Sequence, residues 1–300
     1  MKIVVTGGTG FLGRALVATL RERGRDVVVV TRNPTSARIP AGARAISWSD
    51  LPATVDGADA VVNLAGESIA QRWTSAGKAR ISASRALAAE QVGEALRAAR
   101  KRPAVLVNAS AVGFYGDRGD EELTESSEPG SGFLAETTVA WEEAARRAAP
   151  EGIRLVLPRI GIVLGEEGGA LSKMLLPFRL GLGGPLGSGR QWMSWIHRDD
   201  LVALIVATFE DPRFEGPVNA TAPSPVTMRE FAATLGRVLH RPAFAPAPAF
   251  AIRAAMGEMA SLVLDGQRVL PAKARALDFR FRFERLEPAL RDILHRGSNG

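Results

Sequence analysis

KIVVTGGTGFLG, residues 2–13, passes from a β-branched run through a cluster of glycines into an apolar repeat carried by Phe11, Leu12, Leu16 and Leu20. A short apolar run bounded by glycine predicts a buried strand, and apolar residues three and four apart predict a helix. The stretch therefore reads as strand, tight loop and helix. In such a loop Gly7 and Gly8 permit a turn that side chains would block, Gly10 lets backbone approach a ligand, and Gly13 lets helix pack on strand. A helix beginning here points unpaired N–H groups and the positive end of its dipole at the loop, an arrangement suited to a pyrophosphate. Gly7, Thr9, Gly10, Phe11, Leu12 and Gly13 are the first candidate binding residues.

Outward from this unit, Gly24 closes the helix and VVVVT, residues 27–31, forms a second strand of the kind buried on both faces of a parallel sheet. Further strands are expected at residues 43–48, 60–64, 104–109 and 154–160, with helices at about 74–100 and 134–149. Alternation of this kind predicts an α/β protein with a doubly wound parallel sheet, a Rossmann fold over residues 1–160. Residues 161–300 are expected to form a smaller C-terminal α/β substrate lobe, with a helix and strand near 190–222 returning to the first. The glycine-rich segment Gly181–Gly189 is a candidate mobile lid.

An acidic residue at the end of the second strand commonly binds the ribose hydroxyls of NAD. Thr31, Arg32 and Asn33 stand there instead. A carboxylate would repel a 2′-phosphate, whereas the Arg32 guanidinium offers it a planar fork, so NADP(H) is the preferred cofactor. If Arg32 only stacks on the adenine, NAD(H) is also acceptable.

Composition narrows the rest. With no cysteine, disulfides, thiolate metal sites and a cysteine nucleophile are excluded, and three scattered histidines make no metal centre. The formal charge of +6 comes from arginines spread along the chain without interleaved aromatics, so no nucleic-acid partner is expected. No apolar run reaches the roughly 18 residues of a spanning helix, residues 201–209 reading as a buried helix, and no membrane partner is expected. A strand beginning at Lys2 leaves no room for a leader, which makes the cytoplasm the expected compartment. No apolar stripe marks an interface, and both monomer and homodimer are open.

Beyond these patterns the chain resembles the extended short-chain dehydrogenase/reductase superfamily. The likeness lies in TGGTGFLG (residues 6–13), NLAG (63–66) and NASAVGFYGD (108–117), and it becomes closer in WTSAGKARISASR (73–85), FLAETTVAWEEAA (133–145), PRIGIVLGEEGGAL (158–171) and SWIHRDD (194–200). These segments are similar to epimerase-family proteins related to sugar-nucleotide epimerases, and residues 266–290 to that family's C-terminal domain of unknown function, expected at about 245–295. The resemblance implies that Leu64, Ala65 and Gly66 pass the adenosine side of the cofactor, that Ala109, Ser110 and Ala111 line the nicotinamide side, and that Pro158 and Arg159 follow the next strand. It also implies that Asp199 and Asp200 anchor the C-terminal lobe.

Members of the superfamily usually carry a tyrosine followed four positions later by a lysine, whose charge lowers the phenol pKa for proton transfer. Here the only tyrosine is Tyr115, Gly119 lies four positions on, and residues 133–142 contain neither group. Without a lysine, Tyr115 is expected to keep a phenol pKa of about 10, able to donate a proton but a poor base. The usual catalytic hydroxyl falls on Ala111, with Ser110 one residue earlier. Tyr115, Ser110 and His197 are accordingly the candidate catalytic residues, and Glu67, Gly113, Tyr115 and Trp195 the candidate substrate pocket. Asp117 is a further proton source, and Trp73 and Trp192 further walls. The sequence favours an atypical NADP(H)-dependent oxidoreductase or epimerase-like enzyme, with a carbonyl compound or sugar nucleotide held between the lobes. The alternative is a non-catalytic NADP(H)-binding redox sensor or regulator.

Overall fold

The computed structural model describes residues 1–296, so the last four positions of the expected C-terminal lobe lie outside the described residues. The first half runs β1 (Lys2–Thr6), α1 (Phe11–Glu22), β2 (Asp26–Val30), β3 (Arg44–Ile46), α2 (Leu51–Val55), β4 (Ala60–Asn63), α3 (Ser75–Ala98), β5 (Val105–Asn108), β6 (Ser110–Ala111), β7 (Glu122–Leu123), α4 (Phe133–Ala148) and β8 (Arg154–Ile160). There follow β9 (Ile162–Leu164), α5 (Gly169–Arg179), β10 (Trp192–Met193), β11 (Trp195–His197), α6 (Arg198–Glu210) and β12 (Gly216–Ala220). The chain ends with β13 (Val226–Thr227), α7 (Met228–Leu239), α8 (Ala249–Met256), α9 (Ser261–Leu264), β14 (Arg268–Val269), α10 (Ala272–Ala276) and α11 (Leu286–Arg296).

The main sheet is parallel in the order β12-β8-β5-β4-β1-β2-β3, and β6 continues beside β8. The apolar strands explain its two covered faces. Successive strand side chains point to opposite sides, and Ile3, Val5, Val27 and Val29 enter one core with Leu16, Leu20, Leu201 and Ile205 of α1 and α6. Val4, Val28 and Val30 enter the other, against Leu51, Val55, Val92 and Leu96 of α2 and α3. Each buried aliphatic side chain contributes about 1.5–3 kcal/mol relative to exposure, enough to fix strand register. A one-residue slip would exchange the two faces.

A third core unites α5, α7 and α11 around Trp195, and it belongs to the smaller C-terminal region. The segment proposed as a lid is pinned there. Ala245 N donates to Gly183 O, Gly187 N to Ala247 O and Arg229 N to Gly189 O, which leaves Gly181–Gly189 little freedom to swing. No helix among the described residues is long and apolar enough to cross a membrane.

Candidate functional site

The glycine loop is built so that no other residue fits at two of its positions. Gly7 has φ +69°, and a Cβ there would lie 2.7 Å from the carbonyl carbon of Leu64. A Cβ on Gly13 would lie 2.2 Å from Gly7 O, a distance that no small adjustment relieves. Gly10 N donates to Gly7 O at 3.0 Å, and Gly10 caps α1 with no side-chain acceptor, so the first N–H groups of the helix stay open to an anion. Thr9 O accepts from Arg14 Nη1, Leu12 packs partly against the core, and the Phe11 ring seats against Gly165 and Gly168.

At the end of β2, Thr31 N is bonded to Ile46 O, whereas Arg32 and Asn33 are exposed. Arg32 makes no ion pair or side-chain hydrogen bond among the described residues, and its fork is available to a 2′-phosphate. On the other side of β1, Thr6 Oγ1 donates to Asn63 Oδ1 at 2.5 Å and Asn63 Nδ2 to Asn108 Oδ1 at 2.6 Å. Asn63 Oδ1 also accepts from Ala65 N, and Asn108 Nδ2 donates to Ala109 O. This buried polar chain ties the ends of β1, β4 and β5 together and orients the turns at Leu64–Gly66 and Ala109–Ala111. The sequence reading missed it, although an asparagine closing two apolar strands was a signal. Ala65 and Gly66, expected toward the adenosine, follow β4 and so lie on the β5 side of the glycine loop, away from β2 and Arg32.

Ser110 and Tyr115 are held in a second buried network. Ser110 Oγ donates to Glu142 Oε1 at 2.7 Å, and the Arg159 guanidinium clasps the same carboxylate through Nε at 2.8 Å and Nη2 at 3.0 Å. Arg146 adds a further bond to Glu142 Oε2. Arg159 Nη1 donates to the Tyr115 hydroxyl at 3.0 Å, and that hydroxyl donates its one proton to Asn219 Oδ1 at 2.6 Å, with Thr124 O the other acceptor in reach at 2.9 Å. Tyr115 is fully buried. Burial pushes its phenol above the ordinary value, outweighing the Arg159 charge and the hydrogen bonds from Arg159 and Asn219. The expectation of an ordinary phenol is therefore corrected: the buried Tyr115 hydroxyl resists ionisation. Arg159 also spends its fork inside the protein, which leaves only backbone at Pro158 and Arg159 for a cofactor. For Arg159, burial lowers the pKa, but bonding and charge from Glu142 and then Tyr115 outweigh it, so the guanidinium ends above its usual value.

His197 is buried where α6 meets the C-terminal region. Its Nδ1 accepts from Asp199 N, capping α6, while Nε2 stands 3.3 Å from Asp292 Oδ2 and the ring lies 4.2 Å from that of Phe283. His197, Asp199 and Asp292 bring ligand atoms within 4.8 Å of one another at this clamp between α6 and α11. Asp200 accepts from the backbone N–H groups of Arg282 and Phe283, the anchoring its position implied. Trp195, expected at the substrate pocket, is sealed in the third core with Nε1 bonded to Ser224 O. Trp192 bonds Asp120, and Trp73 meets Phe133 edge to face at 4.9 Å.

Beside the Ala109–Ala111 turn stand small and apolar groups of β6 and α4. Ala111 is half-buried, and a Cβ on Gly113 would touch Leu134 and Thr138 of α4. The Thr138 hydroxyl donates to Leu134 O. Glu67 is the expected pocket residue that keeps a reachable side chain, 38% exposed, with Gln71 and Arg80 beside it. Asp117 is exposed and accepts weakly from Gly266 N.

The parallel sheet, the side-chain-free glycine loop at the start of α1 and the polar tie across β1, β4 and β5 define a dinucleotide-binding protein of the extended short-chain dehydrogenase/reductase type. Residues 3–220 match the model of the NAD dependent epimerase/dehydratase family, and residues 247–293 match a domain of unknown function, DUF1731. The chain belongs to that epimerase/dehydratase family. It is 43% identical over 98% of its length to the chloroplastic epimerase family protein SDR39U1 homolog of Arabidopsis thaliana, covering 87% of that protein. It is 40% identical to the epimerase family protein YfhF of Bacillus subtilis, with 98% of each chain covered. The crystal structure of human epimerase family protein SDR39U1 (isoform 2) with NADPH superposes with a TM-score of 0.91 at 38% identity, covering 98% of this chain and 99% of that one.

Proposed function

We propose that this chain binds NADP(H) and acts as a redox-reporting or regulatory protein, without the tyrosine-and-lysine chemistry of its superfamily. The observation that carries the reading is the fate of the hydroxyls: Ser110 and Tyr115 are both consumed by the Glu142–Arg159 network. Ala111 lies in the Ala109–Ala111 turn and Leu134 and Thr138 on α4, the Thr138 hydroxyl already bonded to Leu134 O. Cofactor binding is supported by the open N-terminus of α1, by the unpaired Arg32 fork, and by the NADPH in the human relative's structure.

A catalytic reading, an oxidoreductase or epimerase-like enzyme acting on a carbonyl compound or sugar nucleotide, rests on Glu67, whose carboxylate stays accessible beside the β4 turn. Calorimetric titration with NADPH, NADP+, NADH and NAD+, repeated on Arg32→Ala, tests the cofactor. Loss of a charge-assisted contact of about 1.5–3 kcal/mol weakens NADPH roughly 10- to 150-fold, with NADH unchanged. Binding of none of the four removes the reading. Turnover of NADPH with a carbonyl or sugar-nucleotide substrate that Glu67→Gln abolishes would establish the enzyme instead.

A further inference from the structure

Lys78, near the start of α3, forms an ion pair with Glu258 of the C-terminal region, in the turn Gly257–Ala260 between α8 and α9. The ammonium makes no other ion pair or side-chain hydrogen bond to the described residues. It stands 5.3 Å from the centre of the Phe133 ring, which Trp73 meets edge to face at 4.9 Å. A cation beside an aromatic face is attracted by the ring, so the two rings and the ammonium form one corner between α3 and α4. Phe133 opens α4, and the next residue, Leu134, lies against Gly113, where a Cβ would stand 3.3 Å from Leu134 Cβ. The corner therefore borders the chain immediately beyond the Ala109–Ala111 turn.

The carboxylate half of the pair is held so that it can leave. The Lys78 side chain is 29% exposed and that of Glu258 66%, and an ion pair in such a setting contributes little stability. Gly257 has φ +60°, and a Cβ there would meet no atom within 4 Å, so the chain can pivot just before Glu258 without disturbing any packing. Further on the segment is anchored: Gln191 Nε2 donates to Val263 O at 2.7 Å, and a Cβ on Gly266 would lie 2.5 Å from Trp192 N. With Arg253, Ser261 and Asp265, Glu258 also lines a cavity of about 330 Å³, a volume that suits a small molecule. We propose, relying on the NADP(H) reading above for the place of the cofactor, that Lys78 binds the oxyanion of a second, small ligand and that Glu258 occupies the ammonium until that ligand displaces it. The ligand is a carboxylate or phosphate ester on a flat apolar body that Trp73 and Phe133 cover. The exchange detaches the turn Gly257–Ala260 from α3, so that occupancy beside the cofactor alters the surface of the C-terminal region.

The test is calorimetric titration of the full chain with benzoate, phenyl phosphate and the neutral benzyl alcohol, in wild type, Lys78→Gln and Glu258→Gln, with thermal melting as the folding control. Wild type is expected to bind at least one of the two anions, and benzyl alcohol about tenfold more weakly. Tighter benzoate binding assigns a carboxylate, tighter phenyl phosphate binding a phosphate ester. Glu258→Gln removes the internal competitor and tightens the anion about fivefold, the equivalent of about 1 kcal/mol, whereas Lys78→Gln loses it. Hydrogen exchange at residues 257–262 rises when the anion binds wild type, toward the level of ligand-free Glu258→Gln. Unchanged or weaker anion binding in Glu258→Gln overturns the proposal, and this comparison decides even if Lys78→Gln does not fold. Anion binding that survives in a folded Lys78→Gln overturns it too, as does failure of both anions to bind wild type and Glu258→Gln. Separate titration with the four dinucleotides reads the cofactor: a chain that binds the anion and none of them overturns the NADP(H) reading and leaves the Lys78 site standing.

Discussion

The hydroxyl of Ser110 donates to Glu142 Oε1 on α4 at 2.7 Å. That bond ties the serine to a buried carboxylate that Arg159 also holds. Glu142 is fully buried and Arg159 is 3% exposed, so each charge depends on the other for compensation.

Removing one partner of this pair should therefore cost more than removing both. Glu142→Gln leaves the Arg159 charge buried without its counter-ion, and about 3–5 kcal/mol of stability is expected to go. Arg159→Met on that background eliminates the stranded charge and should recover part of the loss. Urea unfolding of the two single variants and the double variant measures the coupling. Additive losses would mean that the two side chains do not act as a pair.

Tyr115→Phe is expected to lower stability by about 1–3 kcal/mol by leaving Asn219 Oδ1 and an Arg159 N–H without a partner. It should leave NADPH affinity unchanged. The pH dependence gives a separate readout. Because burial raises the phenol pKa in the folded protein, the unfolded chain loses its proton first. Stability held by the neutral phenol is thus fully present below the unfolded value of about 10 and is lost as pH rises through the higher folded value. Denaturation compared across alkaline pH should show this loss in wild type and not in Tyr115→Phe. Identical pH profiles would contradict a folded phenol that resists ionisation.

Much of this architecture could be read from patterns that local physics enforces. Val27–Val30 signalled a strand buried on both faces, and alternate valines do enter opposite cores. The glycines of residues 7–13 announced a loop whose steric demands appear at Gly7 and Gly13. The site's supporting residues were not legible because they depend on which elements meet. Glu142 and Glu143 are adjacent in sequence, yet the side chain of one is 0% exposed and that of the other 57%. Only the packing of α4 on the sheet separates them. The Asn63–Asn108 bond likewise requires β4 beside β5, and Tyr115 is bonded to Asn219, more than a hundred residues away.

His197 joins three elements of the C-terminal half. Its Nδ1 caps α6 through Asp199 N, its ring packs on Phe283, and Nε2 reaches Asp292 on α11. Loss of a helix cap costs about 1 kcal/mol, and truncating a buried aromatic ring to alanine costs about 3–5 kcal/mol in well-packed cores. His197→Ala should therefore lower the melting temperature by several degrees and loosen the docking of α11, which hydrogen exchange along residues 286–296 would register. NADPH affinity should stay within about twofold, since an unchanged site carries no binding penalty. Unchanged stability with a large loss of NADPH binding or of turnover would instead move His197 into the functional cleft.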